Sequence, residues 1–76
     1  MPSKKSAANQ ALGGAIKAVR KQQGHTQESF ASKTGIDRSY YGAIERGEFN
    51  VTVDKIMAIA TGLDVSATEL FQRAGL

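Results

Sequence analysis

"TGIDRSYYGAIERG", from Thr34 to Gly47, is the stretch on which the fold turns. Gly35 can adopt the left-handed backbone that ends a helix. Ile36 drives inward. Asp37 is a good N-cap, accepting a bond from an otherwise orphan backbone N–H of the next helix. Phe30, Ile36, Tyr41 and Ile44 supply a small shared core, and Ala31 sits where the two flanking helices must approach closely.

Outward from this join, the chain repeats one device. Thr26, Asp37, Thr52 and Ser66 are each preceded by His25, Ile36, Val51 or Val65 and followed four residues later by Phe30, Tyr41, Ile56 or Leu70. That is the hydrophobic-staple spacing around an N-cap, and Ser66 with Glu69 also matches a capping box. Glycines at 24, 35, 47 and 62 divide the chain into five blocks of helical period. The expected helices lie near 9–23, 27–34, 38–46, 53–62 and 67–74. In the first, Leu12, Ala15, Ile16 and Val19 share a face opposite Lys17 and Lys21. Residues 1–8 read as a basic arm and 9–76 as one domain. The fold class is all-α, and the short join at 35–37 between two short helices is the signature of a helix-turn-helix.

The chain has 76 residues, which sets one domain with a small core. It has no cysteine, so it can form neither a disulfide nor a thiolate metal site. No apolar run approaches the ~18 residues of a membrane span, and no signal-peptide core follows Met1. These features predict a soluble, cytoplasmic protein. Residues 1–46 carry a charge balance of +5 and residues 47–76 one of −2, giving +3 in all. A basic front with an acidic rear suits a polyanion on one side, or is ordinary solubility charge.

On the third helix, Tyr41 and Ile44 define the buried side. Ser39, Gly42, Ala43 and Arg46 fall opposite, with Arg38 at the exposed N-terminal end. A helix entering the major groove needs such a slim outer face with a few reaching donors: Arg can bond both acceptors of a guanine, and Ser serves several base edges. Gly42 costs the helix roughly 1 kcal/mol against Ala, which makes sense where something must come close. The alternative is a slack surface position. Thr26 and Gln27 open the second helix, where backbone N–H groups favour phosphate; Gln27 is a phosphate clamp or an ordinary first-turn residue. Lys4, Lys5, Lys17 and Lys21 either add nonspecific phosphate attraction or, taken singly, are ordinary solvated charges.

"TQESFASKTGIDRSYYGAIERG" and the tail "MAIATGLDVSATELF" resemble the Cro/repressor (XRE-like) helix-turn-helix family, with similarity from about Leu12 to Phe71. Within it, "IDRSYYGAIERGEFN" is most similar to the controller proteins of restriction–modification systems, which typically read D-R-[ST]-Y. The resemblance implies a compact five-helix, lambda-repressor-like domain that binds double-stranded DNA as a homodimer at a near-palindromic operator. It implies phosphate contact by Gln27 and contact to bases or backbone from Arg38, Ser39, Tyr40 and Arg46. Asn50 is carried over as a phosphate contact, although Phe49 stands where the family often has a basic residue. Matching residues in the family also pair as Arg20 and Glu45 would here.

The fourth helix has more apolar residues than one stripe needs. Val53, Ile56, Ala60 and Leu63 make a face, with Met57 on one edge and Ile59 on the other. Either its own domain buries two sides, or one edge meets a second subunit. Met57, Ile59 and Phe71 are the candidate dimer contacts. A second reading is an antitoxin or phage-type repressor of the same fold that also binds a protein partner. An enzyme is disfavoured: there is one histidine, no phosphate-cradling glycine loop and no clustered carboxylates. No cofactor or metal is expected.

Overall fold

The computed structural model of the protein describes residues 6–76. Five helices follow one another: α1 Ala7–Gln22, α2 Gln27–Thr34, α3 Arg38–Glu45, α4 Val53–Leu63 and α5 Ala67–Arg73. Every N-cap works by one mechanism. The side chains of Ser6, Thr26, Asp37, Thr52 and Ser66 accept from the backbone N–H three residues on. Ser6 is the cap without an apolar residue in staple position, and so α1 starts two residues before its expected place. Ser6, Ala7 and Ala8 therefore belong to the cap and first turn of α1 rather than to an arm. The rest of the expected arm, with Lys4 and Lys5, lies outside the described residues.

The helix ends are equally uniform. Gly24, Gly35, Gly47, Asp64 and Gly75 have φ of 80°, 73°, 75°, 58° and 77°. The residue after each donates its N–H back five positions: His25 to Arg20, Ile36 to Ala31, Glu48 to Ala43, Val65 to Ala60 and Leu76 to Phe71, all at 2.8–3.2 Å. These are Schellman closures. Asp64, not Gly62, ends α4; aspartate is one of the few side chains that tolerate this backbone. Gly62 lies inside α4 because α2 crosses there. A Cβ at Gly62 would meet Thr34 Cγ2 at 2.8 Å and Phe30 Cζ at 3.1 Å.

The core joins Leu12, Ile16 and Val19 of α1 to Phe30, Ile36, Tyr41, Ile44, Ile56, Ile59, Leu63 and Leu70. All four staples are built, with Val51 and Val65 packed on that core and the His25 and Phe30 rings 5.7 Å apart. The buried stripe of α4 is rotated from the expected one. Ile59 is fully buried in its own core, while Val53 and Met57 on the other edge are 73% and 51% exposed. Ile59 is therefore no dimer contact.

The tightest crossing is that of α1 on the end of α3. A Cβ at Gly13 would lie 2.4 Å from the Ile44 carbonyl oxygen and 2.5 Å from that of Glu45. Gly47 is as close to α1, its added Cβ falling 2.6 Å from Gln10 Cα. Gly14, one residue away, has nothing within 4 Å. Adjacent glycines should thus respond oppositely in urea unfolding. Gly13→Ala should destabilise by about 1–3 kcal/mol, the usual cost of overpacking against atoms that cannot move. Gly14→Ala should stabilise by up to about 1 kcal/mol through helix propensity.

Candidate nucleic-acid interface

The site is built on α3, and the orientation of α3 is fixed from inside. The Glu45 carboxylate accepts from Arg20 Nε at 2.6 Å and Arg20 Nη2 at 3.1 Å, a bidentate pair between α1 and α3. It also accepts from Gln27 Nε2 at 2.9 Å and from the Tyr41 hydroxyl. Arg20 Nη1 donates to the His25 carbonyl at 2.7 Å, which anchors the loop between α1 and α2. The pair is more deeply buried than a surface contact: the side chains are 8% and 1% exposed. The family resemblance carried the pairing; neither Tyr41 nor Gln27 was expected in it.

Burial by itself would raise the Glu45 carboxyl. The bonds from Arg20, Tyr41 and Gln27 outweigh it and hold the group below its ordinary range. Burial and then the bond to Glu45 push the Tyr41 phenol far above its usual value. The bond to Glu45 raises Arg20 against opposing burial.

The outer side of α3 is a slot bounded by three long polar side chains. A Cβ added at Gly42 would lie 3.2 Å from Arg46 Nη1, 3.5 Å from Gln27 Oε1 and 3.6 Å from Arg38 Nη1. Two guanidinium groups and one amide therefore converge over a residue with no side chain. Arg38, Ser39 and Arg46 are exposed, as expected. Gly42 is buried, but beneath those side-chain ends rather than beneath packed core. Ala43 is a correction. It is only 4% exposed, because the chain turns back along its side after Gly47: Glu48 donates to the Ala43 carbonyl, and Phe49 packs on Tyr40 with ring centroids 5.6 Å apart. Ala43 therefore presents no open surface to a base.

The other expected contacts are more dispersed. Thr26 is exposed at the start of α2, in a reciprocal capping box with Ser29. Lys17 is exposed on α1. Asn50 is exposed after α3, its Oδ1 accepting from Asn9 Nδ2 at 2.8 Å. Sequence reasoning missed Glu48, whose carboxylate takes Arg46 Nε at 2.7 Å and Nη2 at 3.2 Å. The i, i+2 spacing of Arg46 and Glu48 gives no helical signal, since they meet only through the turn at Gly47.

A family model described as helix-turn-helix matches residues 16–70, which include α2, the turn and α3. The chain belongs to the helix-turn-helix family, of the Cro/repressor type. Control protein C.MunI of Mycoplasma sp is 40% identical over 61 residues, covering 79% of this chain and 82% of that protein. The crystal structure of the restriction–modification controller protein C.AhdI from Aeromonas hydrophila shares 38% identity and superposes with a TM-score of 0.83, covering 86% of this chain and 98% of that one. The controller protein C.Esp1396I, solved as a tetramer with its natural 35 base-pair operator, shares 35% identity and a TM-score of 0.82, covering 91% of each chain. The helix-turn-helix of this family member is thus held by the Arg20–Glu45 pair. Among the described residues, no helix is long and apolar enough to cross a membrane.

Removing one partner from a buried ion pair strands the other. Arg20→Met should lower the unfolding free energy by about 3–5 kcal/mol, and Arg20→Met with Glu45→Met should cost less than the sum of the two single changes. The pH dependence has a definite sign. A carboxyl depressed in the fold contributes fully above the unfolded value, about 4.3 for Glu, and loses that contribution as pH falls through the folded value. Urea midpoints measured from pH 6 downward should fall more steeply for the wild type than for Glu45→Gln.

Proposed function

We propose that this protein is a sequence-specific double-stranded DNA-binding transcription regulator, acting in the cytoplasm as a homodimer on a near-palindromic operator. The observation that carries the reading is the convergence of Arg38, Arg46 and Gln27 over Gly42, on the exposed side of a helix fixed from within. Guanidinium groups suit guanine O6 and N7, and a helix with a bare centre can seat deep in the major groove. Arg38, Ser39, Tyr40 and Arg46 are the base-contacting set, with Gly42 permitting the approach. Thr26, Gln27, Lys17 and Asn50 are assigned to phosphates. The function needs no cofactor and no catalytic step.

Met57 and Phe71 are the assigned dimer contacts. The exposure of Val53 and Met57 one turn apart on α4 supports a second copy there. Two-fold symmetry would set two recognition helices about 34 Å apart, one DNA turn. The operator complex of C.Esp1396I and the identity to C.MunI favour a restriction–modification controller within this class.

Selection of bound sites from random duplex DNA tests the reading directly. It should recover inverted half-sites one helical turn apart; the absence of any enriched sequence would sink the proposal. With that site in hand, Arg38→Ala should lose about 1–3 kcal/mol of discrimination at one symmetric pair of positions, read by titrating operators mutated one base pair at a time. An equal loss on every operator would make Arg38 a phosphate contact instead. Gly42→Ala separates fold from function. The neighbours of the added methyl are movable chain ends, so stability should hold or rise by up to about 1 kcal/mol, while affinity for the selected site should fall.

A further inference from the structure

Arg46 is not poised for DNA in this structure. Its guanidinium lies along α3, with Nη1 3.2 Å from where a Gly42 Cβ would be, so it fills the slot that an approaching base edge would use. What keeps it there is Glu48. One carboxylate oxygen takes Nε at 2.7 Å and the other takes Nη2 at 3.2 Å, engaging one whole side of the guanidinium fork.

The position of Glu48 is set by the backbone. Gly47, at φ 75°, donates to the Ile44 carbonyl at 3.0 Å, and Glu48 N–H donates to the Ala43 carbonyl at 3.0 Å. Gly47 is also wedged against α1, with room for no Cβ beside Gln10. The turn therefore delivers a carboxylate to the end of the recognition helix. A carboxylate, a guanine edge and a phosphate each offer two acceptors to the same guanidinium fork. A fork folded over Gly42 must leave before a base edge can occupy that slot.

We infer that Glu48 is an affinity-setting residue of the DNA-binding site, an internal competitor that latches Arg46 over Gly42 until DNA displaces it. The inference rests on the functional reading above. Breaking the latch consumes part of the binding free energy, and the freed carboxylate is left near phosphates. Both effects make wild-type binding weaker than the arginines alone would allow. The pair is exposed, 53% at Arg46 and 38% at Glu48, so the effect is moderate.

The experiment is a titration of the selected duplex at one fixed salt concentration with wild type, Glu48→Gln, Arg46→Ala and the double variant. Glu48→Gln should bind about two- to fivefold tighter, the range that an exposed ion pair allows. The gain should vanish when Arg46 is already alanine. A gain of equal size in the Arg46→Ala background would overturn the latch, because Glu48 would then act only as a charge near DNA. Unchanged or weaker binding by Glu48→Gln would overturn it as well: Glu48 would be idle, a support for Arg46 or a DNA contact itself. If the wild type enriches no duplex at all, the functional reading fails first and the latch fails with it.

Discussion

The Glu45 carboxylate is buried among donors from three helices, and its charge is what makes their relative positions so strict. Arg20 reaches it from α1, Gln27 from α2 and Tyr41 from within α3. Replacing such a buried pair with apolar side chains often costs nothing in stability. What apolar residues cannot supply is direction. A bidentate guanidinium–carboxylate pair fixes distance and plane together, and Arg20 spends its remaining nitrogen on the His25 carbonyl. The rotation of α3 about its own axis is therefore set from beneath, which leaves its outer side to the polar side chains of Arg38 and Arg46.

Around that point the fold economises on bulk. A domain this small buries little surface, and close backbone approach compensates. Gly13 lets α1 touch the carbonyls at the end of α3, and Gly62 lets α4 meet Phe30 and Thr34 of α2. Every helix is capped at its start by a side-chain oxygen and closed at its end by a residue of positive φ. With helices of 7 to 16 residues, few would persist alone, so cheap satisfaction of their end groups carries real weight.

Much of this was legible in the sequence. A cap and staple name specific residues at fixed spacing, and so the starts of α2 to α5 were readable to the residue. Ser6 has no staple partner and was passed over. Period identifies an apolar face but not its limits: on α4 it could not say which of Met57 and Ile59 would turn outward, and the core took Ile59. A glycine within a helix signals permission for close approach, not the identity of the visitor. Gly13 was silent for that reason, and Gly62 passed for a terminator while Asp64 did that work. On α3, helical angle alone put Ala43 outside, because the return of the chain after Gly47 is a tertiary event.

Gln27 connects the interior to the surface. Its Nε2 donates to Glu45, which assigns the amide oxygen to the Gly42 side. An amide nitrogen carries two hydrogens, and the carboxylate engages one of them. The second remains for a phosphate oxygen, an acceptor with nothing to donate. On the phosphate assignment proposed above, Gln27 would hold a phosphate without releasing Glu45, and that contact would inherit the rigidity of the buried pair. Arg46 obeys the opposite rule, since the carboxylate that holds it occupies part of the very fork that DNA would take. On the proposed reading, one helix-turn-helix would carry a fixed grip at the start of α2 and a yielding one at the end of α3, each set by how a neighbouring carboxylate uses its oxygens.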